Sequence, residues 1–177
     1  MPTSRPNIIP YICDKIIALQ PKTVLDIGVG FGKFGFLARE YTDIWSGRYN
    51  ADEWQTIIHG VEIYKPYIGI IQQYIYDEIF IQDALAFAPI DIYDLILCPE
   101  VIEHLGRDGG HALLRRLKVC GRVSIVTTPI KMSRQGAVFG NPAEAHICQW
   151  ERGELMKYGT VMEVRGSYVL EMLKGEE

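Results

Sequence analysis

Five acids and two histidines carry the chemistry that is legible in this sequence. Asp26, Glu62 and Asp83 each stand at the carboxyl end of a short β-favouring run, and Asp26 opens a loop with glycines at 28, 30 and 32. Such glycines adopt positive φ and let a ligand approach the backbone. A carboxylate two residues before the first glycine is awkward beside a pyrophosphate and better suited to a cationic ligand. Glu62 is placed to accept hydrogen bonds from two ribose hydroxyls, and Asp83 one from an exocyclic amine. Any one of these acids is equally well a solvated strand end. Three at successive strand ends beside a glycine loop form a pattern.

The second group is Pro99-Glu100-Val101-Ile102-Glu103-His104-Leu105. In a helical turn Glu103 and His104 lie three and four residues on from Glu100, so all three reach one side. Two carboxylates and an imidazole make a mixed oxygen and nitrogen site for a divalent ion such as Mg, Mn, Fe or Co. Acids favoured by a helix N-terminus, with a histidine packed beneath them, explain the same spacing. His146, in His146-Ile147-Cys148-Gln149-Trp150, follows the fifth strand and could fold back toward His104. His59, inside an apolar strand, and His111, on an Arg-rich helix face, read as structural or solvated. Arg115, Arg116 and Lys118 read as the wet face of that helix. Cys98 ends a strand with nothing nearby to activate a thiolate.

Positioning these groups requires strands and helices in alternation, which the sequence supplies from residue 8 almost to its end. Ile9, Ile12, Ile16 and Leu19 fall at helical spacing, with Asn7 as a cap and Pro21 as a stop. Strands fit Thr23 to Ile27, Ile57 to Ile63, Ile79 to Gln82, Tyr93 to Cys98 and Arg122 to Thr127. Helices fit Lys33 to Tyr41, Pro66 to Tyr76 and Gly110 to Val119, and a short one runs through Lys157. Thr160 to Leu173 reads as a hairpin turning at Arg165-Gly166-Ser167. Two connections are long, Thr42 to Thr56 and Thr128 to Ala145, and the second reads as a lid over an acceptor site.

In the order Asp26-Ile27-Gly28-Val29-Gly30-Phe31-Gly32, Val61-Glu62-Ile63, Gln82-Asp83-Ala84 and Tyr93-Asp94-Leu95-Ile96-Leu97-Cys98, the chain resembles the class I S-adenosylmethionine-dependent methyltransferases over nearly its whole length. The resemblance implies a doubly wound, mostly parallel α/β sheet of seven strands, Rossmann-like, ending in an antiparallel hairpin. It implies that Asp26, Gly28, Gly30, Phe31 and Gly32 hold the methionine part of S-adenosylmethionine and that Glu62 with Ile63 binds its ribose. Asp83 with Ala84 would take the adenine, and Cys98 with Pro99 would line the methyl donor. The Glu-Val-Ile-Glu-His block, the Thr-Pro strand end and the His-x-x-x-Trp element are similar to metal-dependent methyltransferases that modify the terminal 2′-hydroxyl of small RNAs. Quinone-pathway O-methyltransferases are similar over the first block. By that likeness Glu100, Glu103, His104 and His146 are metal ligands, and His104 and Glu103 are the catalytic groups. The implied activity is transfer of a methyl group to a hydroxyl.

Composition narrows the partners. The chain has 177 residues, 18 Lys and Arg against 22 Asp and Glu, and a net charge of −4, enough for one domain and without a broad cationic surface for phosphate backbones. A small-molecule acceptor is therefore favoured over RNA. No apolar run approaches the roughly 20 residues of a membrane span, the first residues carry prolines and charges rather than a secretory signal, and the four scattered cysteines imply a reduced, cytoplasmic setting. Two other readings stand beside the enzyme. One is a non-catalytic S-adenosylmethionine-binding module. The other is a nicotinamide-binding protein, resting on the GxGxxG pattern from Gly30 to Gly35.

Overall fold

The computed structural model describes residues 3–89 and 91–175. Its strands are β1 (Thr23–Ile27), β2 (Ile57–Glu62), β3 (Glu78–Ile81), β4 (Tyr93–Pro99), β5 (Gly121–Pro129), β6 (Thr160–Val164) and β7 (Ser167–Leu173). They form one seven-stranded sheet in the order β3-β2-β1-β4-β5-β7-β6. The first five are parallel, and β7 runs antiparallel to both β5 and β6. The helices are α1 (Ile9–Leu19), α2 (Lys33–Thr42), α3 (Ile70–Ile75), α4 (Arg107–Cys120) and α5 (Arg152–Leu155). This is the doubly wound α/β sheet with a terminal hairpin that the sequence implies.

The near-continuous apolar strands follow from burial on both faces. Along β4, Leu95 and Leu97 enter one core layer while Ile96 and Cys98 enter the other, and Val24 and Leu25 of β1 divide in the same way. One layer is closed by Ile12 and Ile16 of α1, Phe34 and Ala38 of α2 and Ile75 of α3. The opposite layer is closed by Leu113, Leu114 and Leu117 of α4 with Trp150. Strand order reverses between β1 and β4, so the crevice of the fold opens at their carboxyl ends.

Several local expectations change in three dimensions. Asn7 caps nothing; its amide donates to the Arg165 carbonyl at 2.8 Å and the Ser167 hydroxyl at 3.1 Å, tying the first residues to the β6–β7 hairpin. Helix from Pro66 is delayed: Lys65–Tyr67 is one 3-10 turn, and α3 starts at Ile70. Arg116 is not wet surface, because its guanidinium donates to the carbonyls of Ala84, Leu85 and Phe87 and braces the turn after Asp83. The long connection after α2 is pinned by Arg39. This buried guanidinium bonds Asp43 at 2.7 Å, the Thr56 carbonyl at 2.6 Å and Asp77 at 2.9 Å, and sits 4.2 Å from the centre of the Trp54 ring. His59 and His111 are structural as read, bonded to the hydroxyls of Tyr93 and Tyr158. The four cysteines are free thiols. No helix among the described residues is long and apolar enough to cross a membrane.

Candidate active site

A cavity of about 580 Å³ lies at the carboxyl edge of the sheet, over β1, β2, β4 and β5. Of the positions read as cofactor-binding, Gly28, Gly30, Phe31, Glu62, Ile63, Asp83, Ala84 and Pro99 line it. Asp26, Gly32 and Cys98 do not. Cys98 points into the core layer, fully buried, and burial holds its thiol well above the ordinary range, so it is inert.

Asp26 is held beneath the glycine loop by a residue that the sequence reading did not single out. The Tyr76 hydroxyl donates to the Asp26 carboxylate at 2.5 Å and accepts the Gly35 amide at 3.2 Å. Burial pushes the Asp26 carboxyl up to about 7. Gly35 makes room for that tyrosine, because a Cβ there would stand 2.2 Å from its ring. Gly28 and Gly30 carry the turn itself, with φ of 81° and 49°. The GxGxxG pattern from Gly30 is thus in part a socket for an aromatic ring. Tyr76→Phe should lower stability by about 1–2 kcal/mol, because it strips partners from a buried carboxylate and a buried amide. A denaturation midpoint equal to that of the parent would refute this role.

Glu62 and Asp83 are fixed differently. The Glu62 carboxylate accepts the Gly30 amide at 3.0 Å and the Tyr64 amide at 2.9 Å, so it locks the glycine loop to the end of β2. Burial raises its pKa. Asp83 accepts the Leu85 amide at 2.8 Å through one oxygen and keeps the other. Acidic groups therefore crowd the half of the cavity that the glycine loop lines.

At the other end Glu103, His104 and His146 converge, one ligand atom from each lying within 4.8 Å of the other two. Glu103 and His104 sit on a 3-10 turn, Ile102–His104, that follows β4. His146 is delivered by the chain beyond β5. The Glu103 carbonyl accepts the amides of Ile147 and Cys148 at 2.9 and 3.0 Å, and the Trp150 indole donates to the Ile102 carbonyl at 3.0 Å. Trp150 fits because Gly110 offers no Cβ, which would stand 2.3 Å from the ring. The His-x-x-x-Trp element is thus an anchor with an imidazole at its tip.

The protonation of this cluster is set by its partners. His104 Nδ1 lies 3.2 Å from the Ala145 carbonyl and His146 Nδ1 lies 2.7 Å from the Ser133 carbonyl. A carbonyl only accepts, so each ring donates through Nδ1, which leaves Nε2 as the atom that a neutral ring would offer to a metal. Burial depresses the His104 pKa and favours that neutral form. Glu103 is 1% exposed, and neither of its carboxylate oxygens has a hydrogen-bond partner. Burial, with Glu100 nearby, pushes its carboxyl up to about 8. An orphaned carboxylate beside two imidazole lone pairs is a donor set that fits a divalent cation.

Glu100 lines the same cavity but stands outside the cluster of three. It is not part of a helical turn: its backbone is left-handed, φ 55°, and its amide bonds the Thr127 carbonyl at 2.9 Å. Its carboxylate accepts the Arg5 amide at 3.0 Å and faces the Arg5 guanidinium at 3.8 Å. The segment after β5, which the sequence reads as a lid, roofs the cavity with Ser133, Gln135, Phe139, Asn141 and Glu144. Glu144 accepts the Tyr67 hydroxyl at 3.1 Å, which joins roof to wall. Within that segment the Gln135 and Val138 carbonyls accept the amides of His146 and Asn141, each at 2.9 Å.

No protein-family model matches the sequence, and no curated protein does. Solved structures with a similar fold include the methyltransferase domain of bacterial CtHen1-C, at 19% identity over 96% of this chain and 98% of that one, TM-score 0.62. Magnesium protoporphyrin IX methyltransferase from Synechocystis PCC 6803, solved with bound S-adenosylmethionine, aligns at 17% identity over 94% of this chain and 78% of that one, TM-score 0.62. The N-methyltransferase NodS from Bradyrhizobium japonicum WM9 aligns at 12% identity over 97% and 98%, TM-score 0.61. The chain has the class I methyltransferase fold.

Proposed function

We propose that this protein is an S-adenosylmethionine-dependent methyltransferase acting on a hydroxyl, assisted by a divalent metal. One observation carries the reading: a single cavity joins an acidic half, with Glu62 and Asp83 at the glycine loop, to Glu103, His104 and His146 at its other end. The acidic half suits a cofactor that carries a sulfonium and an ammonium but no phosphate, which disfavours a dinucleotide despite the glycine pattern. In this reading Gly28, Gly30 and Phe31 contact the methionine part, Glu62 and Ile63 the ribose, Asp83 and Ala84 the adenine. Asp26 acts from beneath, as a positioning residue for the loop. Glu103, His104 and His146 hold the metal.

The acceptor class follows from the second half of the cavity. A neutral amine is nucleophilic as it stands, whereas a hydroxyl must lose its proton as the new bond to carbon forms and the carbon–sulfur bond breaks. With the lone pairs of Glu103, His104 and His146 committed to a cation, the hydroxyl proton would pass to water, and the three groups would act by holding the cation that makes its loss favourable. A divalent cation bound there would supply Lewis acidity that lowers the pKa of a hydroxyl. The segment from Thr128 to Ala145 roofs the cavity, and we read it as the lid that closes over the acceptor. Enclosure and a net charge of −4 favour a small-molecule acceptor over RNA.

The test is transfer of a radiolabelled methyl group to a panel of hydroxylated small molecules, with metal-stripped protein and with Mn, Mg or Co restored. Label in an acceptor only when metal is present supports the reading. Tight cofactor binding with no transfer to any acceptor would favour the non-catalytic binding module.

A further inference from the structure

Resting on the metal assignment above, we infer that Arg5 and the metal compete for Glu100, so that filling the metal site releases residues 3–5 from the cavity wall. Residues 3–5 line the cavity, and their hold on it is thin. The Lys33 ammonium bonds the Ser4 carbonyl, and the Arg5 amide bonds Glu100 at 3.0 Å. The Arg5 side chain is 43% exposed. Glu100, by contrast, is rigidly placed. The left-handed φ of 55° is costly for a residue with a side chain and is maintained by the Thr127 bond. Such a conformation at the end of a strand aims the carboxylate over the crevice instead of along the sheet.

The charge count says why that carboxylate is wanted. One carboxylate and two neutral imidazoles leave a divalent ion with a net positive charge and three donors, short of the six an oxygen-preferring ion takes. Glu100 is a further acid lining the same cavity, and its charge acts on Glu103. Its Oε1 is buried without a hydrogen bond, facing the guanidinium at 3.8 Å. In the metal-free protein Arg5 is therefore the stand-in cation. A carboxylate shared between two cations links their occupancies reciprocally: the factor by which the Arg5 contact weakens metal binding is the factor by which bound metal weakens the Arg5 contact.

Calorimetric Mn titration of the whole protein tests this, using the parent, Arg5→Gln, Glu100→Gln and the double variant. An ion pair this exposed implies that Arg5→Gln binds Mn roughly two- to fivefold more tightly. Glu100→Gln should bind more weakly, and in that background Arg5→Gln should bring no gain, which separates competition for one carboxylate from a general field effect. Amide exchange supplies a readout on the unaltered protein: residues 3–8 should exchange faster once Mn is saturating. Mn binding that is equal with and without Arg5, or a gain that persists without the Glu100 carboxylate, or exchange at 3–8 that ignores Mn, would each overturn the competition and leave the metal site standing. Failure of the parent to bind Mn at all would remove both.

Discussion

Glu103→Gln should lose divalent-metal binding and lower methyl transfer by more than about 100-fold, beyond the range that outer-shell changes at metal sites cost. The same variant should be more stable than its parent in the absence of metal, an opposite sign that a purely structural carboxylate would not give. The Glu103 carboxyl is buried without hydrogen-bond partners and is pushed up to about 8. In the unfolded chain it ionises near 4.5. With the folded pKa raised, stability is complete below the unfolded value and is lost as pH climbs from about 4.5 to about 8, at roughly 1.4 kcal/mol per pH unit. Glutamine is isosteric and uncharged, so that slope should vanish in the variant. Metal binding needs the ionised carboxylate, so in the parent it should tighten as pH rises toward 8. Denaturation midpoints across pH 5–9, with and without Mn, check all three expectations. A parent whose midpoint is flat across that range and unmoved by Mn would exclude Glu103 from any metal site.

Glu62→Ala should weaken S-adenosylmethionine by about 1.5–3 kcal/mol, roughly 10- to 150-fold in Kd, the worth of hydrogen bonds to a charged group. Two effects run together. The ribose loses its acceptor, and the amides of Gly30 and Tyr64, which the carboxylate now holds at 3.0 and 2.9 Å, lose theirs. Glu62→Gln separates them, because its amide oxygen can still accept one of these amides while its NH2 cannot accept from a hydroxyl. An intermediate Kd in Glu62→Gln is expected. Calorimetry on folded Glu62→Ala showing the parent's Kd would return Glu62 to a role in the loop alone.

The strands, the helices and most of the residues that line the acidic half of the cavity were legible because each depends on local pattern. Residues 57 to 62 and 93 to 99 are mostly apolar over a strand's length, and Glu62 and Glu100 stand at their ends. Where the reading departed, long-range packing had intervened. Asp26 opens the glycine loop in the sequence, yet the Tyr76 hydroxyl, fifty residues away, takes one of its carboxylate oxygens and leaves the other buried without a partner. Arg116 looked solvated from its helix, and it braces the turn that holds Asp83.

By itself the sequence determined the alternation that makes a doubly wound sheet, the acids at three strand ends and the residue types of the second cluster. Strand periodicity and turn chemistry act over a few residues and are written in order along the chain. Only the tertiary structure decided which of those groups meet. It brought His146 to Glu103 and His104 through the Glu103 carbonyl and the Trp150 anchor, and it gave Glu100 to Arg5 instead. Such juxtapositions depend on where the chain beyond β5 folds back and where the first residues cross the crevice. Those paths are set by burial of Trp150 beside Gly110 and by the bonds of Asn7 to the β6–β7 hairpin, contacts between positions that no local spacing connects.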